Sequence, residues 1–260
     1  MSGPERIAAA FAGSKGRAAL MPYLMGGFPD GETALAIGEA YAQAGADLIE
    51  VGIPFSDPLA DGPVIQEAGS RALAAGATCE SVLELVAALS PKAPVVVLAY
   101  CNLVIARGAA AFAAELSAAN ASGLIVPDLP PEEAGEVAQA CRDEGVALVP
   151  LAAPTSTDER LDEIARRAEG FVYAVSVAGT TGERSGEAAY GPLLERVRAH
   201  VDLPVALGFG ISTPEQAEAA AAAGADGVIV GSRLVREATE SGEPAAACGA
   251  LVARFAQALR

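Results

Sequence analysis

The chain has 260 residues, 52% hydrophobic and only 5% aromatic, enough to bury a large aliphatic core as one large domain or two small ones. Its 33 acidic residues against 17 basic ones give a formal charge of -16, a field that repels nucleic acid and anionic membranes and obliges any phosphate ligand to be held by local contacts. One histidine, His200, and two lysines, Lys15 and Lys92, are too few for catalytic triads, multi-histidine metal sites or Schiff-base chemistry, which leaves carboxylates, hydroxyls and backbone groups to carry any catalysis.

Gly3 to Gly16 reads as an added helix leading into the main fold. Short β-type runs then alternate with Ala/Glu/Leu-rich helical segments: Leu20 to Met25, Leu48 to Ile53, Val95 to Ala99, Gly123 to Val126, Ala147 to Pro150, Phe171 to Val175, Val205 to Leu207 and Val228 to Val230. Near-continuous apolar strands separated by helices imply a parallel sheet covered by helices. Eight such units in about 250 residues fit a closed (β/α)₈ TIM barrel, with an open doubly wound sheet as the alternative. No Ser/Gly linker or charge run divides the chain, so one domain over residues 1–260 is expected. A partial repeat supports modular construction, because Ala44-Gly45-Ala46-Asp47-Leu48-Ile49-Glu50-Val51-Gly52 echoes Ala223-Gly224-Ala225-Asp226-Gly227-Val228-Ile229-Val230-Gly231. The longest apolar stretch, Ala93 to Ala106, is too short for a membrane span, and Met1 to Arg6 lacks a signal-peptide pattern; a soluble cytoplasmic protein is expected. Cys79, Cys101, Cys141 and Cys248 show no CxxC spacing and read as buried thiols, not metal ligands.

Glu50 lies within an apolar strand that runs into the Pro/Gly loop Pro54 to Pro63. Burial raises a carboxyl pKa toward the range where the group both takes and gives a proton, making Glu50 the first catalytic candidate; a salt bridge inside a barrel is the other reading. Asp57 and Asp61 follow in the loop, where Asp-Pro and Asp-Gly also serve as turn formers. Loops after the strands of such a barrel share the face on which active sites are built. The Gly-rich loop Val177 to Gly186 suits a lid or an ordinary flexible loop. Leu207-Gly208-Phe209-Gly210-Ile211-Ser212 and Val230-Gly231-Ser232-Arg233 follow the last two strands, where glycines admit an anion to backbone N–H groups and a helix N-terminus adds positive potential. Tight turns and an N-cap at Ser232 are the plainer alternatives.

These residues resemble the alpha subunit of tryptophan synthase over nearly the full length. The block Leu48 to Pro63 carries the family hallmark, followed in order by Tyr100-Cys101-Asn102, Val126-Pro127-Asp128-Leu129-Pro130, Ala153-Pro154-Thr155-Ser156, Gly179-Thr180-Thr181-Gly182, Gly208-Phe209-Gly210-Ile211-Ser212 and Gly231-Ser232. The resemblance implies retro-aldol cleavage of indole-3-glycerol phosphate to indole and glyceraldehyde 3-phosphate, without metal or organic cofactor in this chain. It implies that Glu50 moves protons between the glycerol hydroxyl and the ring carbon, while Asp61 accepts the indole N–H and Thr181 of the lid loop hydrogen-bonds Asp61. Tyr23, Tyr100 and Tyr173 would stand at the indole pocket, with packing in the barrel as their other reading. Gly182, Phe209, Gly210, Gly231 and Ser232 would hold the phosphate. The implied partner is a pyridoxal-phosphate beta subunit in an α₂β₂ heterotetramer, faced by Asp57 and Pro58. Phe28, Val177 and Thr180 depart from the family pattern, where Asp, Arg and Val are usual, and bear on lid behaviour. A stand-alone indole-3-glycerol phosphate lyase and a non-catalytic activator of the beta subunit are the alternatives.

Overall fold

The computed structural model describes residues 1–14, 16–175 and 190–260. Its strands are β1 (Ala19–Met25), β2 (Ile49–Gly52), β3 (Val95–Leu98), β4 (Gly123–Ile125), β5 (Ala147–Leu148), β6 (Leu151–Ala152), β7 (Val172–Val175), β8 (Val205–Gly208) and β9 (Gly227–Val230). The helices of the first half are α1 (Gly3–Gly13), α2 (Gly31–Gln43), α3 (Pro63–Ala74), α4 (Cys79–Leu89), α5 (Cys101–Arg107) and α6 (Ala109–Ala118). Those of the second half are α7 (Gly135–Asp143), α8 (Asp158–Arg167), α9 (Tyr190–Arg198), α10 (Pro214–Ala222), α11 (Ser232–Glu240) and α12 (Pro244–Ala258). Every strand pairing is parallel, in the order β5-β4-β3-β2-β1-β9-β8-β7-β6.

The expected fifth strand, Ala147 to Pro150, is divided into β5 and β6. Proline at 150 has no N–H to give to a ladder, so regular pairing lapses there. The ring nevertheless closes: the Val149 N–H donates to the Leu124 carbonyl at 2.9 Å, and the Pro150 carbonyl accepts from the Tyr173 N–H at 3.0 Å. β5 and β6 thus occupy one strand position, and the fold is the expected TIM barrel with an added N-terminal helix.

Strand alternation divides the core in two. Ala19, Met21, Leu48, Val96, Ile125, Ala147, Val149, Phe171, Tyr173, Ala206 and Ile229 fill the barrel interior. The intervening residues, such as Leu20, Ile49, Val51, Val95, Val97 and Val228, pack outward against the helices. Helix α1 stoppers the N-terminal end of the barrel. Its N-terminus is a capping box between Ser2 and Glu5, and its Ile7 is fully buried within the interior cluster. Gly170 makes room for that side chain, since a Cβ there would stand 2.9 Å from Ile7 Cδ1.

The internal repeat has a physical cause. In both copies a helix ends at a glycine of positive φ, Gly45 at 102° and Gly224 at 100°, and an aspartate follows two residues later. Asp47 accepts from the Leu20 N–H at 2.8 Å and pairs with Arg17; Asp226 accepts from the Val205 N–H at 2.8 Å and pairs with Arg198. Each aspartate therefore pins the start of a neighbouring strand. Among the described residues no single helix is long and apolar enough to cross a membrane.

Replacing Ile7 by Ala should cost about 3 kcal/mol of stability, because the stopper side chain leaves a cavity between α1 and the barrel. Urea denaturation checks this, and an unchanged midpoint would mean that α1 does not close the core.

Candidate active site

Glu50 shares its side of β2 with Leu48, so the two-residue period carries its carboxyl into the barrel interior, where the residue is only 4% exposed. Among the described residues no cation pairs with it; burial first, and then the neighbouring Asp61, raise the Glu50 carboxyl to about 8. Asp61 comes from the loop after β2, a turn held by its own N–H to the Pro58 carbonyl at 3.1 Å and by Gln66 Nε2 to the Asp61 carbonyl at 2.9 Å. Burial raises the Asp61 carboxyl to about 6, against the lowering effect of a hydrogen bond from the Tyr100 hydroxyl. The two carboxyls therefore meet with different proton affinities.

Both line a cavity at the C-terminal end of the barrel, about 560 Å³ with the solvent-open space at its mouth included, together with Tyr23, Tyr173, Leu98, Ile65 and Ile229. Tyr23 is the register partner of Glu50 on β1. Tyr173 meets Phe209 edge-on, with ring centroids 5.7 Å apart at 67°. Burial, then the carboxylates, holds the Tyr23 and Tyr173 phenols well above their ordinary range, so both remain neutral donors. Tyr100 does not line the cavity. It stands behind Asp61, its hydroxyl accepting from the Ala60 N–H at 3.0 Å while its ring stacks on Phe55. Two glycines admit the cavity tyrosines: a Cβ at Gly52 would fall 2.1 Å from the Tyr23 hydroxyl oxygen, and one at Gly208 would fall 2.3 Å from that of Tyr173.

The cavity is also lined by Phe209, Gly210, Gly231 and Ser232. Phe209 and Gly210 both have positive φ, 65° and 88°, which for phenylalanine is strained backbone at the rim of a site. Gly231 precedes α11 without a side-chain cap, so the first N–H groups of that helix are available to an anion, with the helix dipole behind them. Arg233 also borders the cavity and pairs with Glu237 at 2.6 Å.

Asp57 is exposed and Pro58 half-buried, outside the cavity lining. Beside them Leu59 is 81% exposed, and on α5 Ile105 is 67% exposed. Thr181 and Gly182, with Val177 and Thr180, lie outside the described residues. Phe28 is buried with Arg71 4.9 Å above its ring. Of the cysteines, Cys79, Cys141 and Cys248 are buried, but Cys101 is half-buried because it opens α5 at the barrel rim. Sequence reasoning missed Leu98, Ile229, Ile65, Ile211 and Arg233 as lining residues; counting by twos from the interior residues Val96 and Gly227 would have found the first two.

The model of the family described as "Tryptophan synthase alpha chain" matches residues 10–259. The chain belongs to the tryptophan synthase alpha chain family. A tryptophan synthase alpha chain of Phenylobacterium zucineum is 51% identical over 242 residues, covering 91% of this chain and 87% of its own. One from Synechococcus elongatus is 47% identical over 232 residues, covering 88% and 87%. Among solved structures, Mycobacterium tuberculosis tryptophan synthase superimposes with a TM-score of 0.92 at 41% identity over 98% of both chains. The Legionella pneumophila tryptophan synthase alpha subunit gives 0.91 at 36% identity, covering 100% of this chain and 98% of that one.

The burial of Glu50 has a measurable stability signature. Its carboxyl rises from an ordinary 4.5 to about 8, so the folded chain holds this proton more tightly than the unfolded one. The stabilisation is complete below pH 4.5 and is lost as pH climbs to 8. Glu50→Gln should therefore gain on the wild type as pH rises from 5 to 9, ending more stable by on the order of a few kcal/mol. Urea denaturation at both pH values tests it; a stability difference that does not change with pH would mean an unperturbed carboxyl.

Proposed function

We propose that the chain is a carbon–carbon lyase that cleaves indole-3-glycerol phosphate into indole and glyceraldehyde 3-phosphate, the step that feeds indole to a tryptophan synthase beta subunit. The observation that carries this reading is the pair of carboxyls, Glu50 and Asp61, with no cation paired to either among the described residues, in one cavity with a helix N-terminus flanked by glycines.

With Asp61 near 6 and Glu50 near 8, neutral pH finds Asp61 ionised and Glu50 protonated. That is the combination the reaction requires. Glu50 gives its proton to C3 of the indole ring, and the positive charge that appears on the ring is delocalised to N1, whose N–H is held by the Asp61 carboxylate. The Glu50 carboxylate then removes the proton of the glycerol hydroxyl adjoining the ring. The O–H pair becomes the carbonyl of the aldehyde, the C–C bond breaks, and its electrons return to the ring to regenerate neutral indole. Glu50 ends protonated, as it began. Tyr100, through its hydroxyl on Asp61, keeps that carboxylate aimed and lowers its proton affinity. Tyr23 and Tyr173 flank the planar ring, and the N–H groups at Gly210, Gly231 and Ser232 receive the phosphate.

Partner contact has support on the surface. Leu59 and Ile105 expose apolar side chains on the loop and helix beside Asp57 and Pro58, at the same end of the barrel as the cavity. A beta subunit seated there touches the loop that carries Asp61, which supplies a route for activation by the partner.

Glyceraldehyde 3-phosphate release from indole-3-glycerol phosphate, measured with the chain alone and with a tryptophan synthase beta subunit, tests the proposal. Turnover should rise with the partner, and Glu50→Gln should lose roughly 10²- to 10⁴-fold in kcat while phosphate still binds. Normal turnover in that variant would sink the mechanism. The pH profile of kcat/KM should be bell-shaped, with an acid limb near 6 from Asp61 and an alkaline limb near 8 from Glu50. A profile flat from 5 to 9 would contradict these assignments. Leu59→Asp should abolish stimulation by the partner and leave the rate of the isolated chain unchanged; stimulation that survives it would place the contact elsewhere.

A further inference from the structure

We propose that Gly52 is a positioning residue for Tyr23, and that this pair sets the size of the compartment taking the indole ring; the inference rests on the function proposed above. In the β1–β2 register Tyr23 lies opposite Glu50 and Met25 opposite Gly52. The Tyr23 ring thus crosses from its own strand onto the end of the next one and stops over Gly52. A Cβ at position 52 would lie 2.1 Å from the hydroxyl oxygen, 2.8 Å from Cζ and 3.0 Å from Cε2, distances that non-bonded carbon does not tolerate. Gly52 is not among the glycines of positive φ, so its backbone is one that any residue adopts. Space for the tyrosine, and not conformation, is what the glycine supplies.

The ring has nowhere else in the wall to go. Its hydroxyl lies 3.9 Å from Met25 Sδ, and Met25 Cε in turn sits 3.4 Å from where a Cβ on Gly69 of α3 would be. On the other flank Gly231 closes in, its hypothetical Cβ 3.8 Å from Tyr23 Cβ. The backbone is also tethered, because the Tyr41 hydroxyl donates to the Tyr23 carbonyl at 3.3 Å. A side chain at 52 therefore drives the ring into the cavity beside Glu50 and Ile229, where the planar substrate ring belongs. The anion end at Gly210, Gly231 and Ser232 keeps its shape. The tyrosine hydroxyl fills the space between Met25 and Gly52, behind the cavity lining.

The test is a double-substitution cycle on the full chain. Gly52→Ala should raise KM for indole-3-glycerol phosphate roughly 10- to 100-fold, with inhibition by inorganic phosphate unchanged. Tyr23→Leu should cancel that penalty, so that the double variant has the KM of Tyr23→Leu alone. The chain contains no tryptophan, so bound indole is also read directly by its own fluorescence, and Gly52→Ala should lose that binding. If Gly52→Ala does not fold, the inference requires that the double variant does, as read by circular dichroism. An unchanged KM in Gly52→Ala, penalties that simply add in the double variant, or a double variant that also fails to fold would each overturn it. Wild-type chain with no turnover would remove the proposed function and this inference together, whereas active wild type with additive penalties removes the inference alone.

Discussion

A carboxyl group forced into a barrel interior by strand alternation, with no cation to meet it among the described residues, is the constraint around which this site is arranged. Glu50 has the side-chain direction of Leu48, and nothing along β2 permits it to turn away. The free energy of ionising it in that environment is high, so the group keeps its proton at neutral pH. Asp61 receives a hydrogen bond from Tyr100 and sits in a loop, and it keeps a lower proton affinity. Two like groups are driven apart by burial and one phenol, which is how a pair of carboxyls acquires distinct acid and base roles.

The remaining walls follow from that arrangement. A neutral acid is preserved only if water stays out, and the interior is sealed from below by Ile7 and lined above by Tyr23, Tyr173 and Phe209. Large rings at the mouth of an eight-position barrel crowd the neighbouring strand ends. Gly52 and Gly208 relieve that crowding, each lying under the hydroxyl of a tyrosine from the preceding strand in the ring. The same strand ends therefore carry the largest and the smallest side chains of the site, and each depends on the other.

Much of this was legible in the sequence. The eight strand positions, the added helix and the Glu50 and Asp61 pair were all readable, because the short apolar runs between helical segments and the block Leu48 to Pro63 are local signals. The repeat around Asp47 and Asp226 was visible as a pattern, but its purpose was not: the arginines and strand N–H groups it serves lie 21 to 30 residues away. Pro150 announced a break in its own strand, and the notion of one uninterrupted run overlooked the missing donor. Tyr100 was readable as a site residue, yet its place behind Asp61 depends on Ala60 and Phe55 of another loop. Gly52 read as an ordinary strand residue and Gly208 as a glycine of the anion loop or a tight turn, since what they accommodate comes from a different strand.

The chemistry of the anion end bears on the acid end. A chain of charge -16 has few arginines to spare, and Arg17, Arg198, Arg196 and Arg233 are each engaged with an aspartate or glutamate. Among the described residues the arginine that borders the cavity, Arg233, is held by Glu237, so the α11 wall receives an anion through backbone N–H groups and a helix dipole. This serves more than economy. An unpaired guanidinium inside the same cavity would stabilise the Glu50 carboxylate and pull its pKa back toward the ordinary range, and Glu50 would then have no proton to give at neutral pH. Dipoles confined to the first turn of α11 hold an anion locally and fall off within a turn, leaving the carboxyl end of the cavity electrostatically undisturbed. Under the proposed reaction they also fix the direction in which the substrate enters, since its phosphate is repelled by Asp61 and received by α11, and its N–H donor is left facing the carboxylate.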